Sequence, residues 1–293
     1  MQMLIKNFVD NFLKTVLSIV RILIFSRFSV EIPKTSNDEI ILLGNGPSFK
    51  VDFLKHKKFF QERETLCVNH FPSTEYYVKL MPKYYILAGP ELWLDDIGQK
   101  YISNSNTLFQ NMAKYTSWEI KCFVPFEAKK HLRWRAHLKS NKNIKIIYYN
   151  NIAIDGFPWF KNLLFRLNLG MPSPHNIMIP ALMISIAMGF NKIYLSGADH
   201  SWLSEISVTD SNEVLLNHKH FYDEGSSKPT AMHNRGVGKR PLHEILHKFM
   251  ISFEGYFAID SYAKKRQIKI LNTTKNSFID AFERFSLDTS NEN

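Results

Sequence analysis

Two cysteines in 293 residues, Cys67 and Cys122, are too few for a disulfide scaffold or a thiolate metal site, and they fit a reducing compartment. Long apolar runs are missing too. The first thirty residues come nearest, but Lys6, Asp10, Lys14 and Arg21 interrupt every stretch that approaches the roughly 20 apolar residues a spanning helix needs. A secretory signal fits poorly, because Asp10 and Lys14 precede the most apolar part and no small-residue cleavage site follows it. No internal repeat or low-complexity linker divides the chain, and no helix-turn-helix, zinc-finger or RNA-recognition signature occurs. Acidic residues are in deficit. The 37 Lys and Arg outnumber the 27 Asp and Glu, leaving a formal charge of +10.

A hydrophobic share of 45% is enough for a full core. The surplus charge sits in two places. Residues 1–30 carry Lys6, Lys14, Arg21 and Arg27 among apolar positions that recur every three or four residues. They read as an amphipathic helix lying in an anionic membrane interface; the competing reading packs the helix on the domain or at an oligomer contact. Residues 128–145 add seven more cations with Trp134 as their only aromatic, which reads as a solvated helix face or a patch toward lipid or acidic glycan. Nucleic acid is therefore not expected as a partner.

Short apolar runs that break at glycine or asparagine occur at 39–48, 64–71, 83–89, 121–126 and 144–150, and again in KIYLSG (192–197) and IKILN (268–272). Helical segments separate them, notably 180–188 and 241–266, the latter with an expected apolar stripe at Leu242, Leu246, Phe249, Phe253 and Phe257. Strands alternating with helices predict an α/β, Rossmann-like, mostly parallel sheet covered on both faces. One domain is expected over 38–285, with a lid at about 200–240 and a flexible tail at 286–293. The lid segment holds His200, His218, His220 and His233.

GNGPS (44–48) is the sharpest local motif. Gly44 and Gly46 at a strand's carboxyl end permit a sharp turn and close approach of a ligand, while Asn45, Pro47 and Ser48 complete the turn. It is neither a dinucleotide fingerprint nor a P-loop. Asn69, Gly89 with Pro90, and Ser196, Gly197, Asp199 and Trp202 stand at other strand ends, and together they describe one pocket. Two motifs compete. His243-Glu244-Ile245-Leu246-His247 matches H-E-x-x-H, but Met250 and Phe253 occupy the positions that a metzincin continuation requires as glycine and histidine. Asp95 and Asp96 are adjacent, so their side chains diverge and do not form a D-x-D metal site.

GNGPS after the first strand, Asn69 and Phe71 after the second, MGFNKIYLSGAD (188–199) and the closing IKILNTTKNSFIDAFERF (268–285) resemble the bacterial sialyltransferases of glycosyltransferase family 42. The resemblance extends to the related flagellar motility-accessory and pterin-pyrophosphokinase-like proteins. It implies a GT-A-like domain that transfers an acidic sugar, a sialic or related ulosonic acid, from a CMP donor to a bacterial surface glycan or glycolipid, with inversion. No cofactor and no metal are implied. GNGPS and Asn69 would hold the CMP moiety, with the segment Ser196 to Asp199 opposite. A histidine near the lid's end would be the general base, and His243, then His233, are the expected candidates. Ser173 and Asn176 stand where the family has phosphate-contacting residues, and Trp202 and Tyr222 near the place of its lid tyrosines. The expected location is the cytoplasmic face of the inner membrane, peripherally attached through residues 1–30; a homo-oligomer is left open. The alternatives are a pterin-pyrophosphokinase-like phosphotransferase and a non-catalytic membrane-associated glycan- or nucleotide-binding protein.

Overall fold

The structure, a computed structural model, describes residues 1–223, 227–233 and 238–288. Parts of the expected lid (224–226 and 234–237) and of the expected tail (289–293) lie outside the described residues. In chain order the elements are α1 (Gln2–Phe25), β1 (Glu39–Leu43), α2 (Ser48–Lys55), α3 (Lys57–Gln61), β2 (Glu64–Val68), α4 (Glu75–Leu80), β3 (Tyr84–Ile86) and α5 (Gln99–Tyr115). Then come β4 (Ile120–Pro125), α6 (Arg133–Leu138), β5 (Ile144–Tyr149), α7 (Pro158–Arg166), α8 (Met178–Met188), β6 (Lys192–Ser196) and β7 (Ile206–Val208). The chain closes with β8 (Val214–Leu216), β9 (Thr230–Ala231), α9 (Leu242–Lys264), β10 (Lys269–Asn272) and β11 (Glu283–Arg284).

Eight strands form one parallel sheet in the order β11-β10-β6-β1-β2-β3-β4-β5. The fold is the expected Rossmann-like α/β arrangement. In β1, Ile40 and Leu42 point into one helical layer and Ile41 and Leu43 into the other, as the two-residue period of a strand requires. The first layer holds α7, α8 and α9, and the second α2, α3, α5 and α6. Strand order reverses at β1, where the chain proceeds to β2 on one side and returns as β6 on the other. The crevice outside the carboxyl ends of β1 and β6 is thus the topological switch point, where open α/β sheets bind ligands.

Three local readings need correction. The segment read as a forty-residue lid loop carries a short 3-10 turn at Ser201–Glu205 and a small antiparallel sheet of β7, β8 and β9. The stripe expected on α9 is rotated: Ile245, Phe249, Ser252, Tyr256 and Ile259 are buried, whereas Leu242, Leu246 and Phe257 are exposed. The basic stretch is partly structural, with Trp134 fully buried and the Arg133 guanidinium bonded to Asn106 and to the Leu94 carbonyl. Asp95 pairs with His131 and Arg133.

Helix α1 docks by its small polar residues. Ser18 Oγ donates to the Asp155 carbonyl and accepts from the Asp155 N–H, both at 2.9 Å, and Thr15 Oγ1 accepts the Phe157 N–H at 3.1 Å. Ile22 adds the apolar anchor, and Ser26 Oγ donates to the Leu169 carbonyl at 2.6 Å. Its larger apolar side chains, including Phe12, Leu13, Val16 and Leu23, stay exposed. Among the described residues no helix is long and apolar enough to cross a membrane.

Candidate functional site

A cleft of roughly 650 Å³ lies at the switch point. Its walls are the β1–α2 turn (Gly44 to Pro47), Val68 and Asn69 after β2, Asn176 to Met178 at the start of α8, Gly197 to Trp202 after β6, and Asn217 to His220. The two glycine turns interlock: Gly44 N–H donates to the Ser196 carbonyl at 2.7 Å and Gly46 N–H to the Gly197 carbonyl at 2.8 Å. Any Cβ on Gly44 would stand 2.3 Å from the Gly197 oxygen, and one on Gly197, whose φ is +67°, would stand 2.5 Å from the Gly44 oxygen. Only two glycines permit this approach.

Two non-glycine residues at the cleft also adopt left-handed backbone, Asn69 (φ +49°) and His200 (φ +53°). Such conformations persist where surrounding contacts impose them. The Tyr85 hydroxyl donates to the Asn69 carbonyl at 3.0 Å. His200 is buried, its Nε2 is 2.6 Å from the Tyr256 hydroxyl, and Tyr256 donates onward to Asn176 Oδ1 at 3.1 Å. Met178 N–H also donates to Asn176 Oδ1, at 2.8 Å. With Oδ1 engaged twice, the Asn176 Nδ2 group is left as the donor available to a ligand. Burial lowers the His200 pKa to about 3, so its ring stays neutral and serves this chain as a donor.

The carboxylates at the cleft are held from the turn side. Ser48 Oγ donates to Asp199 Oδ2 at 2.8 Å; burial raises the Asp199 pKa and this bond opposes the rise. Asp52, one turn into α2, is raised to about 6 by burial and by the Asp199 charge.

A second, open cleft of roughly 1610 Å³ lies beyond the segment 218–223, lined among others by Lys50, His70, Thr74, Lys100 and Lys228. His218 and His220 belong to the walls of both clefts. Burial, then the charge of His220, lowers His218 to about 4. His220 Nδ1 is 3.1 Å from Asp223 Oδ2, and because a carboxylate only accepts, the neutral ring bonded this way carries its proton on Nδ1 and its lone pair on Nε2. The Tyr222 ring stacks on His220 at 4.9 Å with 5° between planes. The segment is pinned at its centre: Phe221 N–H donates to the Asn45 carbonyl at 3.0 Å, and its ring packs on Phe49, Phe71 and Tyr76.

The expected site residues divide accordingly. Gly44, Asn45, Gly46, Pro47, Asn69, Asn176, Gly197, Asp199 and Trp202 line the first cleft, Ser48 braces it through Asp199, and Tyr222 lines the second. Gly89 and Pro90 open a 3-10 turn outside both clefts, Ser196 is buried in β6, and the Ser173 carbonyl accepts the His175 N–H. Neither His243 nor His233 lines either cleft; both are exposed. The rotation of α9 is the reason for His243: with Ile245 and Phe249 inward, helical spacing turns His243 and His247 outward, and Glu244 pairs with Arg240. His218 and His220, which line both clefts, carry no motif in the sequence, although Asp223 three positions after His220 is a signal for an oriented imidazole.

No family model matches the chain, and no curated protein matches it. Among solved structures it is similar to the MAf glycosyltransferase from Magnetospirillum magneticum AMB-1, with a TM-score of 0.50 at 11% identity, over 89% of this chain. The chain spans only 36% of that protein's length. This likeness establishes the Rossmann-like fold.

Proposed function

We propose that the chain is a glycosyltransferase that moves an acidic sugar from a CMP-activated donor to a glycan acceptor, with His220 as the general base. One observation carries this reading: His220, its Nδ1 held by Asp223, stands in the wall shared by two clefts, one at the switch point and one rimmed by Lys50, Lys100 and Lys228. A transferase needs two adjoining substrate sites and a base between them. The fold shared with a glycosyltransferase supports the reaction class, and the resemblance of GNGPS and MGFNKIYLSGAD to family 42 supports the CMP-sugar donor.

In this reading the donor occupies the switch-point cleft, and the acceptor enters from the lysine-rimmed side. Nε2 of His220 takes the acceptor hydroxyl proton as that oxygen attacks the anomeric carbon, while the bond from that carbon to the donor phosphate oxygen breaks and CMP departs with the electron pair. Asp223 holds the imidazole and stabilises the imidazolium that forms. Asn176 Nδ2 donates to the departing phosphate, positioned by Tyr256 and Met178. A donor with a single phosphate asks for less charge neutralisation than a nucleoside diphosphate, and no resident cofactor enters the scheme. The rim lysines suit an acidic acceptor.

The test is CMP binding by calorimetry together with hydrolysis and transfer from a panel of CMP-ulosonic acids. Binding and turnover that is lost in His220→Gln, with CMP binding retained, supports the proposal. Binding without turnover would make the chain a nucleotide-binding protein, and no binding of any CMP compound overturns the donor assignment.

A further inference from the structure

One flank of the molecule combines unpartnered apolar surface with uncompensated positive charge. On α1, Phe12, Leu13, Val16 and Leu23 are between 43% and 68% exposed, and helical spacing gathers them into one arc outside the Thr15-Ser18-Ile22 docking stripe. Beside this helix runs α7. The Phe8 and Phe157 rings meet at 5.4 Å just before α7 begins, and Ser26 bonds to Leu169 just after it ends. The outward side of α7 presents Trp159, 66% exposed, with Leu163, and the exposed Leu167 follows at its C-cap.

Between α7 and the end of α9 lies an open cleft of roughly 590 Å³, walled by Trp159, Leu163 and Tyr262 and rimmed by Arg166, Lys265 and Arg266. Among the described residues none of these three cations has an acidic partner; Arg266 reaches only the Tyr262 hydroxyl and ring. Lys6 and Arg21 on α1 likewise lack an acidic partner, whereas Lys14 pairs with Asp155 at 3.3 Å. Three cations over an aromatic and aliphatic floor match an anionic headgroup with its first methylenes, and the adjoining apolar arc matches the acyl layer beneath it.

We propose that this flank seats on an anionic lipid bilayer, with α1 lying in the interface and the α7–α9 cleft holding a phosphate-bearing headgroup. The charge pattern selects this occupant over a second copy of the chain. An anionic surface complements all of these cations at once, whereas a twofold contact sets the cation-rich flank against its own copy, where Asp10 is the one acidic side chain of α1 available to receive them. The same residues define the depth of insertion: side chains of α1 and α7 reach the acyl boundary, and the cleft cations stay at the phosphate level.

Flotation of the full chain with two kinds of vesicle tests this, one of neutral phosphatidylcholine alone and one containing anionic phosphatidylglycerol. The unmodified protein is expected to float with the anionic vesicles and far less with the neutral ones. Arg166→Gln, Lys265→Gln and Arg266→Gln combined should weaken anionic-vesicle binding by roughly a hundredfold, since each cation near such a surface contributes about 1 kcal/mol. Phe12→Ser with Leu23→Ser should weaken binding to both vesicle types, while a thermal melt confirms that the fold persists. Equal binding to the two vesicle types overturns the headgroup site. Absence of vesicle binding, with a dimer by light scattering that Phe12→Ser and Leu23→Ser dissociate, overturns the bilayer and assigns the flank to a second copy.

Discussion

Ser48 Oγ donates to Asp199 Oδ2 across 2.8 Å, joining the first residue of α2 to the turn that leaves β6. This bond locks the two halves of the switch-point cleft. Ser48→Ala removes a hydrogen bond to a half-buried carboxyl group, for which a loss of roughly 1–3 kcal/mol is expected. In the double variant with Asp199→Asn, the two losses should be clearly less than additive, because each removes the same contact. Thermal melts of the four proteins and CMP titrations check this; full additivity would show that the contact has no energetic role.

His220→Gln should lower the transfer rate by roughly 10²–10⁴, the range for loss of a general base. Asp223→Asn should reduce kcat and change the pH profile while KM for the donor changes little, since the asparagine amide no longer demands a protonated Nδ1. His243→Ala and His233→Ala should be close to unmodified protein in rate, because both are exposed and line neither cleft. A rate collapse in His243→Ala with His220→Gln active would reverse the assignment.

Gly197→Ala carries two penalties. The methyl would meet the Gly44 oxygen at 2.5 Å and the Phe49 Cβ at 2.8 Å, and the residue must hold φ at +67°. A destabilisation of about 3 kcal/mol or more is expected, read as a lower thermal midpoint with weakened CMP binding. Gly238→Ala is a useful control, since it shares a positive φ of +74° but meets nothing within 4 Å.

Asp52 provides a pH-dependent prediction with a fixed sign. Its folded pKa of about 6 lies above the ordinary value of 3.8, so the folded state holds the proton more tightly than the unfolded chain. The resulting stabilisation is complete below pH 3.8 and is lost as pH rises through 6. At pH 7 the ionised carboxylate is a liability, and Asp52→Asn should raise stability by about 1 kcal/mol after allowance for solvent screening. That corresponds to roughly 2–4 °C in midpoint. The gain should shrink toward zero as pH falls to 4. A gain that is constant with pH would exclude the carboxylate as its source.

Most of the parallel sheet was legible because its strands are short apolar runs, and β1 and β6 with their turns were located from the breaks at Gly44 and Gly197; β11, the exposed pair Glu283–Arg284, has no such signal. The switch-point cleft followed from those strand ends, including Asn69 and Asp199, whereas Asn176 came only from the resemblance to family 42. The proposed base, His220, was not legible by the same means. On α9 the stripe 242, 246, 249, 253, 257 and the stripe 245, 249, 252, 256, 259 are both helical, and apolar residues occupy most of each. Only the sheet on one side decides which turns inward, and that decision carries His243 outward. His220 was obscured for the opposite reason. It lies in a polar segment with no periodicity, and its significance rests on Phe221, a buried ring whose contacts with Phe49, Phe71 and Tyr76 come from distant parts of the sequence. Gly89 and Pro90 stand at a strand end like the others, but β3 is two strands away from β1 on one side of the reversal and therefore misses the crevice.

The Phe221 anchor has an engineering meaning. Because the histidine-bearing segment is fastened at its midpoint to the same turn that carries GNGPS, the proposed base and the proposed donor floor form one mechanical unit. Its parts keep their spacing when the rim is redesigned. Under the proposed function, substitutions at Lys100 or Lys228 on the open cleft are expected to change acceptor preference while leaving the proposed base in place, whereas a redesign that loosens Phe221 is expected to alter the proposed donor floor and base together.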